Sequence, residues 1–281
     1  MLRMLVIGYA TEASFGELAC AIMAAGMYES VEGIPIGEDV SDLAQDWLDR
    51  NSGQKIALTK GNAIETADFL RIIIGRRKSR PEDDLGVGKL THCFIFHSPD
   101  GGKFMMTDCA IAISPDQNEK LYAAECAMQL WEDLFVAPHR QQAADSPAGG
   151  EFGACPRRLN ISIISATGKL NPKVKSSVDG MFLIEKLSDR AEIRLDQMDT
   201  ALFPDAAAKK GMINKPRADI LIAPDLDSGN GYYKLLSHLG YPAAGLVLGA
   251  KIPICLNSRS DSLEEKVMAA RYAAELSRKN K

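Results

Sequence analysis

The stretch "SRSDSLEEK", residues 258–266, gathers hydroxyls, a guanidinium and three carboxylates within nine residues. Ser258 can donate a hydrogen bond or act as a nucleophile. Arg259 offers paired N–H groups that fit phosphate, and Asp261, Glu264 and Glu265 supply acids at what reads as a helix start. The same residues fit a structural reading as well. Asp261 or Ser262 caps the helix, Glu264 and Glu265 complement its dipole, and Arg259 is a surface charge. No histidine lies near Ser258 in sequence and no Gly-x-Ser-x-Gly elbow exists, so a hydrolase triad is not indicated.

Three other stretches share the design of an apolar strand running into a helix through small polar residues: "LTKGNAIETADFLR", "IISATGKLNPKVKSSVDG" and "IAPDLDSGNGYYK". In parallel α/β sheets ligands bind beyond the carboxyl ends of strands, and helix N-terminal N–H groups favour anions there. Each turn taken singly also fits capping and close packing. Four together, counting "PICLNSRSDSLEEK", point to a cleft for an anionic substrate. Lys60, Gly61, Thr66, Ser165, Gly229 and Asn230 stand at these turns as candidate substrate contacts. In "RIIIGRRKSRPEDD", Arg71, Arg76, Arg77, Lys78 and Arg80 form a cationic run. It reads either as a solvated helix end or as a grip on a polyanion such as the nucleotide of coenzyme A.

These residues need elements to hold them, and strand-like and helix-like segments alternate almost throughout. "MLVIG", "KIALTK", "LNISIISA", "ADILIAP", "AAGLVLG" and "IPICLN" read as strands; "ELACAIMAAG", "DVSDLAQDWLDR", "SSVDGMFLIEKL" and "SLEEKVMAARYAAEL" read as helices. The rhythm predicts α/β architecture with a mainly parallel sheet. "THCFIFHSPDGGKFMMTD" breaks it with a hairpin whose turn is Asp100-Gly101-Gly102. Residues 138–157, rich in Pro, Gly, Ala and Ser, read as a mobile loop.

At 281 residues the chain has room for two domains, and 46% hydrophobic with 25% charged residues is ordinary globular composition. A net charge of −4 gives no reason to expect nucleic acid or a membrane surface as partner. No apolar run approaches the roughly 18 residues of a spanning helix, and the N-terminus reads as a first strand and helix rather than a signal peptide. Six dispersed cysteines without a Cys-x-x-Cys pair read as buried free thiols of a reducing cytoplasm, and the four histidines show no metal-ligand spacing.

The ordered series of motifs resembles the phosphate acetyltransferase and phosphate butyryltransferase family over roughly residues 55–275. "LTKGNAIETADFLRIII" is similar to the family's Lys-Gly, Thr-Ala-Asp and Leu-Arg segment, and "ISIISATGKLNPKVKSSVDG" to its Ser-Ala and Asn-Pro-Lys segment. "ADILIAPDLDSGNGYYK" and "GLVLGAKIPICLNSRSDS" resemble the segments that end in Gly-Asn and in Ser-Arg-x-Asp-Ser, the latter in the form of the butyryl-type branch. The resemblance implies two three-layer α/β domains of isocitrate/isopropylmalate dehydrogenase-like fold with an interdomain cleft. The first domain would be discontinuous, residues 1–88 plus 257–281, and the second would span 89–256 with a loop insertion at 138–157.

The implied activity is reversible transfer of a short-chain acyl group between coenzyme A and inorganic phosphate. Coenzyme A would be a substrate, with no bound cofactor or metal, in a cytoplasmic homodimer. Carried over by motif, Ser258 hydrogen-bonds the thiol or oxyanion, while Arg259 and Arg71 bind phosphate. The family's acid seven residues after the serine falls on Glu265, with Asp261 as its rival. The sequence departs from the family at Asp227-Ser228, where Glu-Ala is typical, and in lacking a second phosphate-binding arginine near the N-terminus. These departures leave a second reading, a family member that binds acyl-CoA or a phosphorylated metabolite with little or no transfer.

Overall fold

The computed structural model describes residues 2–79, 89–138 and 158–279. The chain opens with β1 (Arg3–Tyr9), α1 (Glu12–Ala24), β2 (Ser30–Pro35), α2 (Val40–Arg50), β3 (Ile56–Lys60) and α3 (Thr66–Ser79). There follow β4 (Thr91–His97), β5 (Lys103–Thr107), α4 (Gln117–Trp131, continued by a π-helical turn), β6 (Asn160–Ile164), α5 (Lys175–Leu187) and β7 (Glu192–Asp196). Next come the short α6 (Met198–Leu202) and α7 (Pro204–Lys209), then β8 (Ile220–Ile222) and α8 (Leu226–His238). The chain closes with β9 (Ala243–Leu248), β10 (Ile254–Cys255) and α9 (Leu263–Lys279).

These elements form two units, Met1–Leu90 with Ala243–Lys281, and Thr91–Pro242. The sequence boundary at 88 lies close to the first division, but the expected boundary at 256/257 moves to 242/243. The reason is strand pairing. β10 lies parallel to β3 and antiparallel to β9, so the pair β9–β10 completes the first unit's sheet, in the order β2-β1-β3-β10-β9.

In that sheet β1 pairs parallel with both β2 and β3, and Met4, Leu5, Val6 and Ile7 are wholly buried. A continuous apolar strand is what a sheet covered on both faces requires. Helix α1 packs with α9, and α2 with α3, while α9 also lies on β3, β9 and β10. The close approach of α9 depends on its small buried residues Ala269, Ala270, Ala273 and Ala274. Tyr28 Oη donates to Ala270 O at 2.8 Å and fixes the helix further.

The second unit's sheet runs β4-β5-β8-β6-β7. The expected hairpin is present: β4 and β5 are antiparallel, and Gly101 has φ 82°, a left-handed conformation that glycine adopts without strain. The other pairings, β5–β8, β8–β6 and β6–β7, are parallel. Beneath the sheet Lys120 of α4 meets Asp179 of α5 at 2.5 Å, both side chains buried, and Lys175 adds a second contact at 2.6 Å. Tyr233 of α8 stacks on Phe94 of β4 with ring centroids 3.8 Å apart.

Two sequence expectations need correction. Strand β7 and the short helices after it were absent from the sequence reading. β7 is an edge strand, and three of the five residues in "EIRLD" are not fully buried, which leaves little apolar pattern to detect. Among the cysteines, Cys93, Cys109 and Cys255 are buried as expected, but Cys20 is exposed on α1. Cys155 and the expected loop, from 139 onward, lie outside the described residues.

Candidate active site

Within the first unit, β3 and β10 run parallel with Cys255 opposite Thr59, so their carboxyl ends lie side by side. Lys60 closes β3, and Asn257, Ser258 and Arg259 follow β10. Ser258 N donates to Asp261 Oδ2 at 2.7 Å, and Asp261 N donates to Ser258 O at 3.3 Å. Asp261, buried itself, therefore braces a four-residue loop that presents the half-buried Ser258 and the exposed Arg259. Ser258 Oγ lies 3.0 Å from Ser260 Oγ. Arg259 reaches Glu65 Oε1 at 2.8 Å, which ties this loop to the residue before α3.

Lys60 is 4% exposed, and its ammonium donates to Gly61 O and Ile64 O, each at 3.1 Å. Burial is the main force lowering its pKa to about 8, and the Arg259 charge adds to it. Glu65 and Asp261 oppose the shift, while Lys266 reinforces it. Gly61 has a packing reason for its identity. A Cβ built on it would lie 2.4 Å from Gly8 O, so only glycine lets β3 leave the sheet beside β1.

Glu265, the motif's candidate acid, is held by hydrogen bonds on both carboxylate oxygens. Its Oε1 accepts from Ala243 N at 3.1 Å, and its Oε2 accepts from Ser262 N at 2.8 Å and Ser262 Oγ at 2.9 Å. Glu265 N in turn donates to Ser262 Oγ at 3.2 Å, completing a capping box on α9. A buried carboxylate engaged in this way secures the helix start to β9, and its oxygens are turned toward the protein.

Thr66 opens α3, half-buried. Arg71, further along α3, is 75% exposed and pairs with Asp68 of the same helix. Among the described residues no hydrogen bond or ion pair joins Arg71 to Arg259 or Lys60. The side chains of Arg76, Arg77 and Lys78, and all of Arg80, lie outside the described residues. Three residues beyond the sequence expectations belong to this neighbourhood: Glu65 through its ion pair, Lys266 through its charge, and Asn257. Among the described residues, neither the nitrogen nor the oxygen of the buried Asn257 amide has a hydrogen-bond partner. Glu65 was readable as the acid just before a helix; the other two become visible only once β3, β10 and α9 are assembled.

Within the second unit, the expected contacts are engaged locally. Ser165, buried after β6, accepts from Thr167 N at 3.3 Å and from Ser176 Oγ at 3.0 Å. A Cβ on Gly229 would lie 2.9 Å from Asp108 O, and Asn230 Nδ2 donates to Cys109 O at 3.3 Å. Asp225 caps α8 through Ser228 N at 2.8 Å. Asp108 is itself fixed by Thr91 Oγ1, His92 N, Ala110 N and Ile111 N at 2.9–3.1 Å. The small residues of "DSGNG" thus let α8 dock on the Asp108–Cys109 backbone.

Comparison with known proteins gives a consistent picture. Residues 160–274 match the family described as phosphate acetyl/butaryl transferase. A phosphate acetyltransferase of Thermotoga maritima is 34% identical over 236 residues, which cover 80% of this chain and 71% of that one. A phosphate acetyltransferase of Rhizobium meliloti is 32% identical over 201 residues, covering 66% of this chain. The chain spans 57% of that relative's length. In fold it is similar to a branched-chain phosphotransacylase from Enterococcus faecalis V583, with a TM-score of 0.75 at 24% identity and 99% of both chains covered. It also shares the fold of an isocitrate dehydrogenase from Methylococcus capsulatus, at a TM-score of 0.51, 12% identity and coverage of 98% and 83% of the two chains.

Proposed function

Because the chain belongs to the phosphate acetyl- and butyryltransferase family, we propose that it moves a short-chain acyl group reversibly between coenzyme A and inorganic phosphate. The observation that carries this reading is the Ser258–Asp261 loop at the end of β10, set beside Lys60 at the end of β3. A phosphate oxygen attacks the thioester carbonyl, the C–O bond forms as the C–S bond breaks, and the thiolate leaves. The proton that phosphate gives up is returned to the thiolate sulfur.

Arg259 holds the phosphate and offsets its charge through its N–H fork, with Arg71 as a second cation. To do so Arg259 exchanges its contact with Glu65 for the substrate. Ser258 Oγ donates to the developing oxyanion or to the sulfur. In the reverse direction a thiol of pKa ~8.5 must lose its proton, which calls for a carboxylate. Of the two acids considered, Asp261 is the one proposed, because it lies in the Ser258 loop and the oxygens of Glu265 are taken up by Ala243 and Ser262. Coenzyme A as substrate rather than bound cofactor, a homodimer and a cytoplasmic location complete the proposal. Among the described residues no helix is long and apolar enough to cross a membrane.

A thiol-release assay with phosphate and acetyl-, butyryl- and isobutyryl-CoA tests the proposal. Phosphate-dependent turnover of at least one thioester is expected, with kcat/KM lowered about 100-fold in Arg259→Gln. Coenzyme A binding by calorimetry without turnover of any thioester would overturn it in favour of a binding protein.

A further inference from the structure

The first unit holds a cavity of about 400 Å³ at the opposite end of its sheet from the Ser258 loop. β1, β2 and β3 run parallel, and the cavity lies where they begin. Leu2, Glu29 and Lys55, which stand directly before these three strands, all line it. The carboxyl-terminal end of α9 adds Ala274, Ser277 and Arg278. Substrates of parallel α/β sheets bind beyond the carboxyl ends of the strands, so this cavity is separate from the candidate active site. Its volume falls within the roughly 300–1,000 Å³ of small-molecule sites.

The walls are fixed by the fold itself. Glu29 N donates to Leu2 O at 2.8 Å, and Arg3 N donates to Lys55 O at 3.0 Å. Gly26, with φ 72°, turns the chain out of α1 beside the cavity. Tyr28 Oη donates to Ala270 O and Ser277 Oγ to Ala273 O, so both hydroxyl protons are engaged within the protein. Leu2, Met27, Tyr28 and Ala274 make up the apolar part of the wall.

The polar part carries charges of both signs. Lys55, Arg278 and Glu29 are exposed, and among the described residues none of the three enters an ion pair. Lys55 Nζ has one long contact, 3.5 Å to Ser277 O. The carbonyl end of a helix favours cations, which accounts for Lys55 and Arg278 beside this end of α9. It does not account for Glu29, or for an apolar cavity of this size. Two cations, a carboxylate and an apolar wall together match a zwitterion with a hydrophobic side chain. At about 30 Å³ for each water-sized group, the cavity takes roughly a dozen non-hydrogen atoms. That is the size range of leucine to phenylalanine.

We propose that this cavity is a second ligand site, which binds an apolar α-amino acid. The carboxylate meets Lys55 and Arg278, the ammonium meets Glu29, and the side chain lies against Leu2, Tyr28 and Ala274. Such a site is independent of whether the chain transfers acyl groups.

Calorimetric titration with L-leucine and L-phenylalanine tests the proposal. Each is compared with its deaminated acid, with its decarboxylated amine and with glycine. At least one of the two amino acids is expected to bind fivefold or more tightly than its two single-charge analogues and than glycine, which lacks the side chain. Arg278→Gln and Glu29→Gln are each expected to weaken it about fivefold, the scale of one partly exposed ion pair, and Arg278→Lys to restore it. Arg259→Gln, at the other end of the sheet, is expected to leave binding unchanged. Thermal unfolding of each variant confirms that the fold is kept. Binding of neither amino acid, or binding no tighter than that of the single-charge analogues, would overturn the proposal. So would an affinity unmoved by both Arg278→Gln and Glu29→Gln, or one lost in Arg259→Gln, which would place the amino acid at the Ser258 end.

Discussion

Replacing Glu265 by alanine distinguishes a structural acid from a catalytic one. Three hydrogen bonds end on this carboxylate, one from Ala243 N and two from Ser262. Losing the cap on α9 costs about 1 kcal/mol, and leaving the buried Ala243 N–H without its acceptor costs about 1–3 kcal/mol more. The expected destabilisation is therefore about 2–4 kcal/mol, confined to the unit that contains β9 and α9. Two tryptophans make this readable: Trp47 lies buried in the first unit and Trp131 belongs to α4 of the second. In a Trp131→Phe background, Trp47 fluorescence follows the first unit alone. For a urea dependence of about 3 kcal/mol per molar, the midpoint of Glu265→Ala falls by about 1 M. Glu265→Gln keeps one acceptor for Ala243 N–H and should lose about half as much. An unchanged midpoint in Glu265→Ala, with turnover lost, would refute the structural assignment and restore the residue as the base.

Other substitutions probe the same neighbourhood. Gly61→Ala forces a Cβ against the Gly8 carbonyl and is expected to cost about 3 kcal/mol by urea unfolding, whereas Gly231→Ala on α8, which meets nothing within 4 Å, is expected to stabilise by about 0.5–1 kcal/mol. Glu65→Gln frees Arg259 from an exposed ion pair worth under about 1 kcal/mol, so the KM for phosphate should fall two- to fivefold at low salt while kcat holds. Lys60 titrates near 8 in the folded chain against an ordinary 10.5, so between those values the unfolded state binds more protons and stability rises with pH. Lys60→Met should accordingly be more stable than wild type below pH 8, with the gap closing toward pH 10.5 in pH-dependent unfolding.

Much of the fold was legible because its signals are local. Asp100-Gly101-Gly102 is a strong turn signal, and the short apolar runs in "MLVIG" and "KIALTK", each leading into a helical pattern, mark strands. What sequence could not show was partnership. "AAGLVLG" and "IPICLN" read correctly as strands, yet their membership of the first unit depends on β10 finding β3, a pairing across some two hundred residues. The site shows the same split. Ser258, Arg259 and Lys60 were singled out by residue type and position alone, while the packing of neighbouring backbone against Gly61 and Gly229 has no local signature in the chain. Glu265 carried a catalytic motif position, but only the fold revealed Ala243 and Ser262 as the owners of its lone pairs.

The most direct test of acyl transfer to phosphate is to watch the phosphorus. Phosphorus NMR of the protein with inorganic phosphate and butyryl-CoA should show an acyl phosphate resonance growing as the phosphate signal falls, and the growth should nearly vanish in Arg259→Gln. Thioester cleavage without that resonance, or equal growth in wild type and Arg259→Gln, would contradict the account.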